Sequence, residues 1–149
     1  VGRERRPPRT PLNTLLSFGN SLLYIAVLGE IYKTHLDPRI GFLHASNFRK
    51  FSLNLDVAEV FKPIIVDRII FTLINKRMID NSSFEEVGGV YLNEKGRRIF
   101  VKEFDQKMSQ VISLQKKRFS YQRLIRVELY KIEKHLMDEK EYRPFISQW

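Results

Sequence analysis

The sequence predicts a mainly α fold: a helical bundle of about four to six helices, with one short irregular or β excursion near residues 80–92. Three observations carry this. Apolar residues recur at i, i+3 and i+4 through four long stretches, the spacing of a helix with a buried face. Those stretches open on residues suited to cap a helix, namely Thr10, Ser52 or Asn54, Asn93 and Ser120, whose side-chain oxygens satisfy orphan N–H groups. The helical pattern lapses at DNSSFEEVGGVYL, where Asn, Ser and the Gly88-Gly89 pair act as punctuation.

Residues 1–9, VGRERRPPR, are a basic linker with nothing to bury. Thr10 then caps a helix with Pro11 at its first position, where a missing N–H costs nothing. This helix runs to about residue 33 and is apolar on nearly every face (Leu12, Leu15, Leu16, Leu22, Leu23, Ile25, Val27, Leu28, Ile31). Such a helix is surrounded by others. Gly19 and Gly29 each weaken it by about 1 kcal/mol, which predicts close helix contacts at both. Asn13, Thr14, Ser17, Asn20 and Ser21 make it a poor membrane span.

A loop follows Asp37-Pro38, and a second long helix covers residues 52–77. Pro63 lies inside it, and the ring displaces the carbonyl four residues earlier, so a kink is expected beside Glu59. In the 80–92 excursion, Val90, Tyr91 and Leu92 form one short strand or none. Asn93 opens a helix carrying Ile99, Phe100, Phe104, Met108, Val111 and Ile112, closed by Lys116, Lys117 and Arg118, cations that suit a C-terminus. Ser120 opens the last helix, whose buried stripe is Ile125, Leu129, Ile132 and Leu136. Residues 10–149 thus form one domain.

Composition narrows the function classes. The chain has 149 residues, 43% hydrophobic and 29% charged, and no cysteine. That excludes disulfides, thiolate zinc sites and a cysteine nucleophile, and it fits an intracellular setting. The net charge of +9 is unevenly placed: +3 in residues 1–9, zero in 10–92 and +6 in 93–149. Basic flanks around a neutral core suit contact with a polyanion. No phosphate-cradling glycine loop or nucleophile elbow is present.

The chemical centre is GFLHASNFRKFSLNLDVAE, residues 41–59. His44 sits in a loop, and Asp56 and Glu59 follow on a helix at i and i+3, a spacing that shares one face. One imidazole nitrogen and two carboxylates could hold a cation; manganese and zinc accept imidazole readily, whereas magnesium and calcium prefer oxygen. The same residues also read as a structural histidine and an acidic pair in or next to the first helical turn, complementing the dipole. Arg49 and Lys50, in the aromatic-basic run NFRKF, together with Arg123 and Arg126, are candidate phosphate contacts.

RRPPRTPLNTLLSFGNSLLY, LDPRIGFLH, FSLNLDVAEVFKPIIVDR, GVYLNEKGRRIF and YQRLIRVELYKIEKHL together resemble the C-terminal helical domain of the CRISPR-associated integrase family, the metal-dependent DNA endonucleases of spacer acquisition. GFLH followed by S-L-x-L-D-x-x-E-x-F-x-P is the most specific part. The resemblance implies Mn2+ or Mg2+ bound by His44 and Glu59, which are also the catalytic residues, with Asp56 as a neighbouring or auxiliary ligand. It implies double-stranded DNA and CRISPR repeat DNA as partners, a homodimer, a second protein of the adaptation complex, no membrane, and a prokaryotic cytoplasm. It further implies that the family's N-terminal β-rich domain and first metal-binding glutamate lie upstream of this chain; Glu4 is not at that motif. The chain therefore reads as a fragment, incomplete and inactive alone. The alternatives are a non-catalytic helical nucleic-acid-binding module and a protein-interaction scaffold.

Overall fold

The structure, a computed structural model, describes residues 10–34, 52–136 and 145. Among the described residues, five α-helices and two small antiparallel hairpins make a mainly α domain. Helix α1 (Pro11–Ile31) opens as its sequence requires: Thr10 accepts a hydrogen bond from the Asn13 N–H at 3.2 Å, with Pro11 at the first position. Leu15, Leu23, Val27 and Ile31 are buried, and α1 packs on α2 and α5. The helix is not enclosed all round, however, since Leu12 and Ile25 are exposed. By length and composition α1 could cross a membrane, with a mean hydropathy of 1.4 over its best window, yet 44% of that window is buried inside the protein. It is the domain's central packing element.

The two glycines of α1 behave differently. A Cβ on Gly19 would come within 2.7 Å of Val66 Cγ1 and 2.9 Å of Phe100 Cζ, so the expected close approach is there. Gly29 has nothing within 4 Å among the described residues, and the expectation of a helix contact at that position is corrected for them.

Helix α2 (Ser52–Lys62) leads directly into a π-helical segment (Pro63–Asp67) and then α3 (Arg68–Asn75). The distortion falls where Pro63 predicts it. A proline can neither donate to the Glu59 carbonyl nor fit its ring against it, and widening the helix to an i→i+5 pattern accommodates both problems. Ile64, Ile65 and Val66 in this segment are all buried.

The 80–92 excursion is better ordered than the sequence suggests. Asp80 caps a short 3₁₀ turn (Asn81–Ser83), and β1 (Phe84–Glu86) pairs with β2 (Val90–Leu92) in the register Phe84↔Leu92. Gly88, at φ 70°, turns the hairpin. Thr14 Oγ1 of α1 donates to the Val90 carbonyl at 2.6 Å and fixes the hairpin to the bundle.

Helix α4 (Glu94–Ser109) is capped by Asn93, whose side chain accepts from the Gly96 N–H at 2.9 Å. The sequence reading carried this helix on to Arg118, and the structure corrects it. Val111–Leu114 (β3) and Lys117–Ser120 (β4) form a second hairpin, paired Leu114↔Lys117 across a two-residue turn. Both turn residues have positive φ, 49° at Gln115 and 67° at Lys116, the arrangement that matches strand twist in two-residue hairpins. Ser120 then caps α5 (Tyr121–Leu136), accepting from the Arg123 N–H at 3.1 Å. Ile125, Leu129 and Ile132 form its buried stripe.

Candidate active site and charged surface

The carboxylates expected at the chemical centre sit on α2, at the margin between core and solvent. Asp56 is 1% exposed, whereas Glu59 is exposed. Three residues around a helix place their side chains about 60° apart, so Asp56 lies on the core side of the margin and Glu59 on the water side. Because α2 begins at Ser52 with no acid in its first turn, both lie deeper in the helix than dipole complementation requires. Asp56 is engaged in a polar or electrostatic interaction.

His44, Arg49 and Lys50 lie outside the described residues. Among the described residues no three His, Asp or Glu side chains gather to hold a metal ion. What α2 offers is one accessible carboxylate, a hard oxygen donor that fits Mn2+ or Mg2+, beside one enclosed carboxylate. The donor set therefore fits such an ion provided residues from elsewhere complete it, with His44 the candidate already named.

Two contacts made by Phe145 link α2 to α5. The Phe145 ring stacks on Phe61 at 5.8 Å with 10° between planes, and its backbone N–H donates to Glu128 Oε2 of α5 at 3.0 Å. Glu128 is 1% exposed and also accepts from Lys131 at 3.3 Å. Phe61 lies two residues beyond Glu59, so this aromatic clasp fixes the bearing of the carboxylate-carrying helix against α5.

The two described candidate phosphate contacts differ. Arg123 is exposed on the first turn of α5. Arg126 directs its Nε to Glu30 Oε1 at 2.8 Å, tying α5 to the end of α1. Glu30 is 3% exposed and accepts Lys33 Nζ at 2.9 Å as well. Burial raises its carboxyl pKa, but the hydrogen bonds from Lys33 and Arg126 outweigh this and hold it below the ordinary value. The sequence reading missed this triad; the i, i+3 spacing of Glu30 and Lys33 was its one visible sign.

A family model described as "CRISPR associated protein Cas1" matches residues 1–106. The chain belongs to the Cas1 family. It is 55% identical over 150 residues to CRISPR-associated endonuclease Cas1 2 of Thermodesulfovibrio yellowstonii, covering 99% of this chain and 46% of that protein. Among solved structures it superposes on a Cas1 protein from Thermotoga maritima with a TM-score of 0.82 at 52% identity, covering 93% of this chain and 44% of that one. It also superposes on a casposase bound to integration product, with a TM-score of 0.84 at 29% identity, covering 95% and 40%. The chain thus spans a little under half the length of these Cas1 relatives, and their likeness falls on its helical bundle.

Proposed function

We propose that the chain is the catalytic helical part of a metal-dependent DNA endonuclease and integrase, which inserts captured DNA fragments into a CRISPR array as spacers. The observation that carries this reading is the fold-wide likeness, at 29% identity, to a casposase bound to integration product. The endonuclease names of the Cas1 relatives agree with it. In the proposed step, the 3′-hydroxyl oxygen of a captured fragment attacks a repeat phosphodiester. A new P–O bond forms, the repeat strand's bond to its own 3′-oxygen breaks, and that oxygen leaves as a hydroxyl after taking a proton.

A bound Mn2+ or Mg2+ would supply acidification of the attacking hydroxyl and stabilisation of charge at phosphorus. Glu59, on the solvent side of α2, and His44 are the residues assigned to hold it, and both are the catalytic residues of the reading. Asp56, enclosed one turn earlier, is assigned as an auxiliary ligand or as the group that fixes this turn of α2. Arg49, Lys50 and Arg123 would bind phosphates. Arg126 would present to DNA only the N–H groups not committed to Glu30.

The DNA partners are double-stranded fragments and repeat DNA. The protein partners are a second copy of the protein and a second member of the adaptation complex, and the setting is the prokaryotic cytoplasm. Manganese-dependent joining of a labelled duplex to a repeat-bearing plasmid by the full-length protein tests the reading. His44→Ala and Glu59→Ala should each lower the rate at least 100-fold, within the range removed with a group acting on the transition state. Unchanged joining in both would leave a non-catalytic nucleic-acid-binding module.

A further inference from the structure

The correction at residues 110–120 changes the meaning of the chain's basic end. From residue 106 to residue 127 there is no Asp or Glu, but there are Lys107, Lys116, Lys117, Arg118, Arg123 and Arg126. As a helix terminus, Lys116, Lys117 and Arg118 would simply cap a dipole. As observed, they occupy the tip and return strand of a two-stranded hairpin, and all three are exposed. The apolar side chains of the hairpin, Ile112, Leu114 and Phe119, pack against the core. The outward positions Val111, Ser113 and Gln115 carry no carboxylate and no aromatic ring.

The root of the hairpin continues the same sign of charge. Between α3 and α4 lies a cleft of about 510 Å³ lined by Arg68, Thr72, Gln106, Lys107 and Gln110, with Glu103 the one acidic residue among the described residues that line it. Lys107 sits 4.8 Å over the Tyr121 ring. Burial, and then the neighbouring Arg68 charge, lower its pKa, so an anion in the cleft would stabilise its charged form. From Gln110 to Gln115 the strand rises about 17 Å. That matches roughly five nucleotide steps of a duplex strand at 3.4 Å each.

We propose that the β3–β4 hairpin is a duplex-binding arm, with Lys116, Lys117 and Arg118 on the phosphates at its tip and Lys107 on a phosphate at its root. A two-stranded ribbon has the width that enters a DNA major groove. A single-strand arm would instead display aromatic stacking platforms, and none is exposed on this hairpin. The inference rests on the DNA-joining reading above and adds to it a contact surface on a different element from the α2 carboxylates.

The test uses the full-length protein and a fluorescein-labelled 30-base-pair duplex, with binding followed by anisotropy from 50 to 250 mM salt. The variant is Lys116→Asn, Lys117→Ala, Arg118→Ala; asparagine is chosen at 116 because it tolerates the positive φ. The slope of log affinity against log salt should become shallower by about 2 to 3, at ~0.9 per lost phosphate contact, with affinity at 150 mM salt falling on the order of a hundredfold. A charge-matched control, Lys76→Ala, Lys102→Ala, Lys134→Ala, removes three exposed cations elsewhere and should leave the slope within about 0.5 of the parent. An unchanged slope in the hairpin variant overturns the proposal, as does an equal loss in the control. Independently of folding effects in the triple variant, Lys117→Cys bearing a benzophenone should photocrosslink to the duplex, and no crosslink overturns it. Joining activity by the unsubstituted protein, alongside an indifferent hairpin variant, would sink the arm and leave the DNA-joining reading standing. A parent protein that neither binds nor joins DNA would sink both.

Discussion

Gly19→Ala and Gly29→Ala should shift stability in opposite directions, although both replace a glycine within the same helix. In helix-propensity terms each gains up to about 1 kcal/mol. At Gly19 the added methyl would stand 2.7 Å from Val66 Cγ1 and 2.9 Å from Phe100 Cζ. Ordinary carbon contacts begin near 3.5 Å, so each neighbour must retreat by most of an ångström. Neither can do so freely: Val66 and Phe100 are both 0% exposed, Val66 lies in the π segment, and Phe100 is in edge contact with Phe18 at 5.2 Å. Overpacking costs about 1–3 kcal/mol; with two fully enclosed neighbours both inside 3.0 Å the upper part of that range, about 2–3 kcal/mol, applies, so the net loss at Gly19 is about 1–2 kcal/mol. At Gly29 nothing among the described residues lies within 4 Å, and about 0.5–1 kcal/mol of propensity gain remains. For a domain of this size Tm moves by about 2–4 °C per kcal/mol. Thermal unfolding followed by far-UV circular dichroism should therefore show Gly19→Ala lower by about 2–8 °C and Gly29→Ala higher by about 1–4 °C. Equal shifts of the same sign would refute the claim that α1 meets the π segment at van der Waals distance.

Arg126→Ala leaves the buried Glu30 carboxylate with Lys33 as its one cation among the described residues and should cost about 2 kcal/mol, less than a fully enclosed pair because Arg126 keeps some exposure. Glu30 has a folded pKa below its ordinary value of 4.5, so its contribution is present above about pH 4.5 and lost as pH falls through the folded pKa; urea titrations from pH 7 to 3 should show Glu30→Gln flattening that acid limb. Asn93→Ala removes the α4 cap and the Nδ2 bond to the Ser82 carbonyl at 2.7 Å, and should lower the urea midpoint by an amount worth about 1–2 kcal/mol. Phe145→Ala opens the stack on Phe61 and should cost about 2 kcal/mol, and joining by the full-length protein should slow with it, because the stack sets the bearing of α2.

The helix starts were legible because capping is local chemistry: Thr10-Pro11, Asn93 and Ser120 each place an oxygen within reach of a free N–H. That the helix is disturbed at Pro63 was legible for the same reason, since the missing donor is written into the residue; that the disturbance takes the form of a π turn was not. The second hairpin was not. Met108, Val111 and Ile112 fall at helical spacing, and the cations after them imitate a helix terminus; the turn at Gln115-Lys116 carries neither Asn nor Gly, the residues that usually announce positive φ. The Asp56/Glu59 pair could be picked out by spacing, but its division between core and solvent depends on how α2 is rotated against α1 and α5, a long-range property. Glu30 with Arg126 stood 96 residues apart, beyond any local pattern.

The π segment has a consequence for the helix that contains it. Leu53, Val57, Phe61, Ile65, Ile69 and Leu73, all 3% exposed or less, recur every fourth residue rather than every 3.6. On an ideal helix such a row would wind about 40° per step, or about 200° from first to last, and its two ends would look in opposite directions. One widened turn takes back about 100° of that winding. Closing the segment to regular α-helix at unchanged length would therefore swivel Asp56 and Glu59 about a quarter-turn relative to α3, leaving the carboxylates intact but aimed elsewhere. Deleting one residue between positions 63 and 67 at the same time would remove the same winding and restore their bearing.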